Sequence, residues 1–156
     1  MPTHPLSPRE AREQAAECLG FMASQPIQIG DEVFEVPHPS LLDDDQQNRY
    51  DLLQLSLENL DRWPDVTDED GSVLRQGELK DPHRTKDGKL VESYNIRLAK
   101  VLFGDIGYKR FKAGGGSGNT VSAIWFQMQR QLTERVRADS KSAERDADLG
   151  ELSESD

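Results

Sequence analysis

The sequence predicts a mainly α protein. It indicates one small helical domain at residues 1–139, with a short N-terminal β-hairpin, and a disordered acidic C-terminal tail at residues 140–156. Three observations predict this class. Apolar residues recur at helical spacing in several segments, one stretch near residue 30 changes to a period of two, and the tail carries few large apolar side chains. A chain of 156 residues is long enough for one modest core.

The first helix begins with a strong capping pattern. Ser7 suits the N-cap, Pro8 suits the first helical position, and Glu10 follows the cap by three residues. An apolar stripe follows, at Ala11, Ala15, Leu19 and Met22. Cys18, the single cysteine, borders this stripe. The sequence favours a small buried side chain there over a reactive thiol, and a reducing compartment for the protein.

The stretch "PIQIGDEVFEV" changes period. Ile27 and Ile29 alternate with Gln28, and Gly30-Asp31 supplies a turn before a second alternating run. This pattern predicts a β-hairpin. Because two strands alone are marginally stable in water, we expect the hairpin either to lie on a helix or to pair with the edge of another copy.

The next segment predicts the longest helix of the chain. Ser40 and Asp43 form its capping signature, and Pro64 ends it. Its apolar stripe is Leu42, Tyr50, Leu53, Leu57 and Leu60, widened by Leu52 and Leu55. The acids at 43–45 suit the positive end of a helix better than they suit a metal site, because three consecutive helical positions point in different directions.

Residues 65–90 are predicted to form a long polar loop with two Asp-Gly turns and few apolar anchors. Loops of this length in a compact domain are usually functional or disordered. An EF-hand calcium loop is excluded, because its first and twelfth ligand positions would fall on Val66 and Gly77.

The glycine-rich stretch "AGGGSGN" raises the question of a phosphate-binding loop. Asn119 follows the last glycine, where a Walker motif needs lysine, and the preceding segment reads as helix instead of strand. That helix is predicted to be capped at Ser93 and to stop at Gly104, with a further helical piece that turns Ile106 and Phe111 inward. The glycines therefore indicate a reversal between two helices, the second capped by Ser117 or Asn119.

The helix after the glycines carries the clearest apolar stripe. Its members lie within about 120° of one another: Val121, Ile124, Trp125, Met128, Leu132 and Val136. Phe126 lies off this stripe, so it is either covered by another element of the chain or faces a partner. The candidate partner-binding residues on the two main helices are Tyr50, Leu52, Leu55, Phe126 and Arg130.

Composition narrows the function classes. The net charge of −10 argues against nucleic-acid binding, and the sequence contains no apolar run of membrane-spanning length. Residues 43–70 carry a net charge of −8 (ten acids, two arginines), and residues 71–112 carry +5 (ten bases, five acids). This alternation favours self-association or an oppositely patterned protein partner, or else it marks solvated surface.

Catalytic chemistry is not indicated. The three histidines, His4, His38 and His83, are far apart in sequence, and neither zinc-ligand spacing nor a nucleophile motif occurs. We therefore expect a soluble cytosolic protein that is not an enzyme and has no metal or cofactor.

Three stretches resemble a known family: "SYNIRLAKVLFG" at 93–104, "YKRFKAGGGSGNTVSAIWFQMQ" at 108–129 and "RVRADSKS" at 135–142. They are similar to the tail assembly chaperones of tailed bacteriophages, specifically of long-tailed phages that infect actinobacteria. The segment "QNRYDLLQLSLENLDRWPDV" at 47–66 shares this similarity, which extends over residues 33–142.

The resemblance implies a role in virion assembly. Members of this family bind the tape-measure protein, keep it soluble and help tail-tube subunits to polymerise around it. They act in the host cytoplasm and are absent from the mature virion. They commonly occur as a short form and a longer frameshifted form, and an ending in "DSKS" plus an acidic tail resembles the short form.

The expected partners are thus the tape-measure protein, the tail-tube protein and other copies of this chain. A structural virion protein, such as a head–tail connector or a tail-completion subunit, is the alternative, because it shares the small size and the acidity.

Overall fold

The computed structural model describes residues 4–154, with side chains described as far as residue 141. Its helices are α1 (Pro8–Leu19), α2 (Asp44–Ser56), α3 (Tyr94–Ala113) and α4 (Gly118–Glu154). Its strands are β1 (Ser24–Ile29), β2 (Glu32–Pro37), β3 (Val66–Thr67) and β4 (Val73–Arg75). The mainly helical class and the N-terminal hairpin are confirmed.

Helix α1 begins as predicted, but it buries a different residue. Ser7 and Glu10 form a complete capping box, and Pro8 occupies the first turn. The buried residue is Ala16, whereas Leu19 and Met22 of the predicted stripe are exposed. The stripe was wrong because α1 touches the domain only along a narrow strip. Cys18 is exposed, which corrects the expectation of a buried side chain.

The hairpin closes through a two-residue turn. Gly30 has a φ of +59°, the conformation that a type II′ turn requires at its first central position. Ile29 and Glu32 form the first pair beside the turn, and their backbone groups bond to each other. In the next pair, and in every second pair after it, the backbone N–H and C=O groups point outward to the free edges of the hairpin. Pro26 and Pro37 occupy such outward positions, one on each strand.

Proline has no N–H to donate, so both free edges of the hairpin are poor templates for another strand. The hairpin is stabilised by helices instead. Phe34 and Val36 of β2 are buried and belong to the same core cluster as residues of α3 and α4. Of the two expected ways to support the hairpin, the structure shows packing on helices.

Helix α2 is shorter than predicted. Asp43 caps it in a capping box with Gln46, and a 3₁₀ turn at Leu57–Asn59 follows its end. The helix stops early because the chain leaves it to pair elsewhere: Leu60 forms a bridge with Thr85. The longest helix is α4.

The segment predicted as a long polar loop contains strands. Besides β3 and β4, isolated bridges join Leu60 to Thr85, Arg62 to Leu79 and Arg84 to Leu90. We call residues 60–91 the ladder segment. Polar side chains hold its turns: the Asp68 carboxylate accepts backbone N–H groups at 2.9 Å, and Asp65 accepts the N–H of Gly77 at 2.7 Å. Because backbone bridges and polar side chains hold this segment, its strands leave no hydrophobic periodicity that the sequence analysis could detect.

Helix α3 is broken at Gly104, which has φ +74° and ψ +166°. This confirms the prediction of two helical pieces. The break leaves carbonyl groups of the preceding turn without their helical N–H partners. Two of these carbonyls accept hydrogen bonds from side chains of α2. Gln46 Nε2 donates to the Leu102 carbonyl at 2.9 Å, and Arg49 Nε donates to the Val101 carbonyl at 2.8 Å.

The break also explains one wrong expectation. Phe111 is buried as predicted, but Ile106 is 74% exposed. The change of direction at Gly104 turns Gly107 and Tyr108 toward the core in the second piece, and Ile106 away from it.

The glycine-rich stretch forms the corner between α3 and α4. Gly115 takes a φ of +100°, and the Ser117 hydroxyl accepts the Asn119 N–H at 3.2 Å. A Cβ at Gly116 would overlap the Phe111 ring, so the corner packs tightly on the core. The reversal between two helices is confirmed.

The core lies where α2, α3, α4 and the hairpin meet. Its largest fully buried side chains include Trp125, Phe111 and Leu98. The predicted stripe of α4 holds over its first three turns, where Val121, Trp125 and Met128 are buried, whereas Val136 is exposed.

The described backbone of helix α4 reaches into the predicted tail. Helix α4 continues to Glu154, through residues that the sequence predicts to be disordered. Alanine, arginine, lysine and glutamate have high helix propensity, which favours this continuation. Side chains from residue 142 on and residues 155–156 lie outside the described part of the chain.

Candidate partner-binding site

Phe126 is partly covered by another element of the chain and partly exposed, so each of the two predicted alternatives holds in part. Its side chain is 42% exposed, and its ring lies against the Tyr94 ring with centroids 6.4 Å apart. Tyr94 is itself fixed, because its hydroxyl accepts a hydrogen bond from Gln54 Nε2 at 2.9 Å. Burial raises the pKa of Tyr94, so it stays neutral at physiological pH. Phe126 is thus held in place on one side and accessible on the other.

Arg130 shares this surface. Residues 126 and 130 are one helical turn apart, and both line a shallow groove of about 580 Å³ together with Thr133 and Arg137. We call this surface the outer α4 face. Around Phe126 the groove is lined mainly by polar and charged residues, so a partner seated there would make one apolar contact with a polar rim.

Tyr50 belongs to the packing between helices. It is half-buried, and its ring centroid lies 5.6 Å from that of Trp125. Its main role is therefore to join α2 to α4, and little of its surface is left for a partner.

Leu52 and Leu55 form a separate surface. They are 58% and 59% exposed, so they do not widen the core stripe as predicted. At about 100° per residue they lie on the side of α2 opposite to Tyr50 and Gln54, which contact α3 and α4. The structure therefore divides the five candidate residues between two surfaces and one internal contact.

Sequence reasoning missed a buried histidine. His38 is 2% exposed, its Nδ1 accepts the Ser40 N–H at 3.1 Å, and its ring stacks on Phe21 at 4.7 Å. Its Nε2 atom is buried without a hydrogen-bond partner among the described residues. Burial lowers the pKa of His38, so the ring is neutral near pH 7, and Nε2 then carries the proton.

His38 lies at a cavity of about 480 Å³, which we call the His38 pocket. The pocket lies between the turn after α1, strand β1 and helix α4, and its lining residues are up to 110 positions apart in sequence, from Phe21 to Gln131. The signal that could have found it is the "PHP" triplet, where prolines on both sides restrict the backbone of a histidine next to a strand.

The ladder segment exposes a further set of large apolar side chains that the sequence analysis did not select. Their exposed fractions range from 43% to 70%: Trp63, Val66, Val73, Leu74 and Leu90. Lys80 lies over the Trp63 ring at 4.7 Å and pairs with Asp61 at 2.9 Å. The Lys80 ammonium lowers the pKa of Asp61.

Within the described residues, histidine, cysteine and acidic side chains do not gather in groups of three or more that could hold a metal ion. In the same part of the chain, no helix has the length and apolar character to cross a bilayer. Among the described residues, the geometry offers apolar contact surfaces and three buried polar atoms without hydrogen-bond partners, namely His38 Nε2, Ser122 Oγ and Trp125 Nε1.

Comparisons with family models, with curated proteins and with solved structures give no match to this chain.

Proposed function

We propose that this protein is a phage tail assembly chaperone, in its short form, which binds the tape-measure protein and keeps it soluble while tail-tube subunits polymerise. The observation that carries the proposal is the exposure of large apolar side chains on two regular helices. Leu52 and Leu55 on α2 and Phe126 on α4 are each more than 40% exposed. The resemblance of residues 33–142 to tail assembly chaperones supplies the partner.

The mode of binding follows from the two surfaces. A tape-measure protein is a long helical chain, and an amphipathic helix is recognised through apolar residues that repeat at three- and four-residue spacing. Leu52 and Leu55 have that spacing, whereas the outer α4 face offers one apolar contact, Phe126, with Arg130 one helical turn further along. Because the two surfaces point in different directions, one copy of the chaperone would contact two helices, or two copies would share one.

Charge supports the solubilising role. The last 17 residues carry a net charge of −4, and the whole chain carries −10. A net charge well away from zero keeps a complex soluble through mutual repulsion. We propose that the complex forms in the host cytoplasm and that the chaperone leaves before the virion is complete.

The test is co-expression with the tape-measure protein encoded beside it, followed by size-exclusion chromatography with light scattering. We expect a soluble complex, while the tape-measure protein alone is insoluble. The double variant Leu52→Ser/Leu55→Ser and the variant Phe126→Ala should each lose most of the complex. Ile106→Ser is the control, because Ile106 is an even more exposed apolar residue on α3, outside both surfaces.

Two results would contradict the proposal. Separate elution, with this protein alone in a ring-sized oligomer, would favour a head–tail connector. Detection of this chain in purified virions would favour a structural virion protein in general.

A further inference from the structure

Helix α2 presents a stripe of exposed residues on the side away from the core. Its inward side is fixed by Leu53, which is buried, and by Tyr50, whose ring contacts Trp125. The exposed residues lie within about 60° of one another on the opposite side of the helix. We call them the outer α2 stripe: Asp44, Asn48, Asp51 and Leu55.

The outer α4 face repeats the spacing of this stripe. Its residues Phe126, Arg130, Thr133 and Arg137 follow one another at steps of four, three and four residues, and so do the residues of the outer α2 stripe. Steps of three and four keep residues on one side of a helix, where a second helix can contact them. From its first to its last residue, each stripe runs over eleven helical steps, or about 16 Å.

Laid antiparallel, the two stripes match position by position. The alignment brings together one apolar pair, two pairs of opposite charge and one pair of uncharged polar side chains. These pairs are Phe126–Leu55, Arg130–Asp51, Arg137–Asp44 and Thr133–Asn48. Complementary charges of this kind set the register and orientation of a contact.

A parallel alignment does not achieve the same match. When it pairs both arginines with both aspartates, it sets Phe126 against Ser40. It also sets Leu55 against Lys141. The apolar contact is then lost, so the spacing favours the antiparallel orientation.

The charged groups of the two stripes are available for a contact between molecules. Within the described part of the chain, the ion pairs join other side chains and include none of Asp44, Asp51, Arg130 and Arg137. Asp51 accepts a hydrogen bond from Gln47 Nε2 at 2.9 Å through Oδ1, and its Oδ2 can accept another from an arginine. In the antiparallel alignment the acid of the α4 groove, Glu134, faces Gln47, which carries no charge.

We propose that the outer α2 stripe of one copy docks antiparallel on the outer α4 face of a second copy. Each contact leaves one stripe open on each copy, so association proceeds head to tail. Because the contact is small and its charge pairs are exposed, we expect a dissociation constant of about 0.1–1 mM. The association requires no tape-measure protein. It covers apolar side chains that the tape-measure protein is proposed to contact, so the two kinds of binding would compete.

Sedimentation velocity of the full-length protein over a wide range of concentration is the first test. We expect the sedimentation coefficient to rise with concentration at low salt, and to rise less at high salt, because salt screens exposed charge pairs. A protein that stays monomeric at millimolar concentration would overturn this association and leave tape-measure binding open. A stable ring that does not dissociate on dilution would overturn both.

Charge reversal tests the pairing itself. Asp51→Arg and Arg130→Asp each replace an attraction by a repulsion, so each should weaken association about two- to thirtyfold. The double variant Asp51→Arg/Arg130→Asp restores a pair of opposite charge between copies and should regain most of the affinity. Glu17→Arg makes the same change of charge at an exposed position of α1 and should leave affinity within about twofold. Failure of the double variant to regain affinity would overturn the proposal.

A disulfide between copies tests the register. In a Cys18→Ser background, the variants Leu55→Cys and Phe126→Cys are mixed and oxidised with glutathione disulfide. Facing residues can approach within the about 7 Å between Cα atoms that a disulfide allows, so the mixed dimer should form readily. Leu55→Cys with Thr133→Cys is the control, because Thr133 lies about 10 Å further along α4. Equal rates for the two mixtures would overturn the antiparallel register.

Discussion

The helical core and the ladder segment are stabilised in different ways. In the core, where α2, α3, α4 and the hairpin meet, Trp125 and Phe111 are each 1% exposed. In the ladder segment, Trp63 and Leu74 are 58% and 67% exposed, and backbone bridges with polar side-chain caps hold the chain. One short chain thus combines a region ordered by burial with a region ordered mainly by hydrogen bonds.

The largest expected effect comes from removing a core ring. Trp125→Ala should lower the free energy of unfolding by about 3–5 kcal/mol, because it leaves a large cavity among well-packed side chains. Chemical denaturation followed by circular dichroism measures this loss. Phe126→Ala is the adjacent control and should cost less than about 1 kcal/mol, since much of that ring is exposed. If both variants cost the same, Phe126 is a core residue and the outer α4 face is misassigned.

An intermediate effect is expected from Gly77→Ala in the ladder segment. A Cβ at Gly77 would overlap the Trp63 carbonyl, and Trp63 cannot shift freely because its N–H donates to the Glu78 carbonyl at 2.8 Å. Overpacking of this kind costs about 1–3 kcal/mol. Hydrogen exchange should show lost protection at the amides of Trp63 and Lys80, while amides of α3 keep theirs.

Gln76→Ala, one residue earlier and exposed, is the control for this change and should leave exchange unaltered. Equal loss of protection across the whole protein in Gly77→Ala would show that the ladder segment and the helical core unfold as one unit. The two regions would then share one cooperative unfolding transition.

The smallest effect concerns the pH dependence of stability. Burial lowers the native pKa of His38 below the 6.5 of an exposed histidine. The unfolded chain therefore binds more protons between those two values, and stability falls as pH decreases from 6.5 toward the native pKa. The slope is at most about 1.4 kcal/mol per pH unit.

His38→Phe should lack this contribution, so the difference in unfolding free energy between variant and wild type should change as pH falls below 7. Denaturation curves at closely spaced pH values measure it. His83, whose pKa is lowered by burial and by Arg97, is present in both proteins and cancels in the difference. Parallel curves would show that His38 titrates alike in the folded and unfolded states.

The sequence predicted those features that depend on neighbours along the chain. The capping box of Ser7 and Glu10, the Gly30-Asp31 turn and the stripe through Trp125 follow from local spacing, and each is present. Among the candidate site residues, Phe126 was predicted on the same basis, because its position off the stripe is a matter of helical arithmetic.

The features that it missed depend on residues distant in sequence. The His38 pocket requires β1 and α4 to meet. The bridge from Leu60 to Thr85, which shortens α2, spans 25 residues. Such pairings are set by the assembled fold and leave no periodic pattern in the sequence.

The break in α3 has a consequence for the order of folding. A continuous helix propagates from a single nucleus, but an interruption at Gly104 requires two nuclei, one for each half. The side chains of Gln46 and Arg49 bond to the carbonyls at the interruption. We therefore expect the two halves of α3 to reach their final relative geometry only when α2 docks against them.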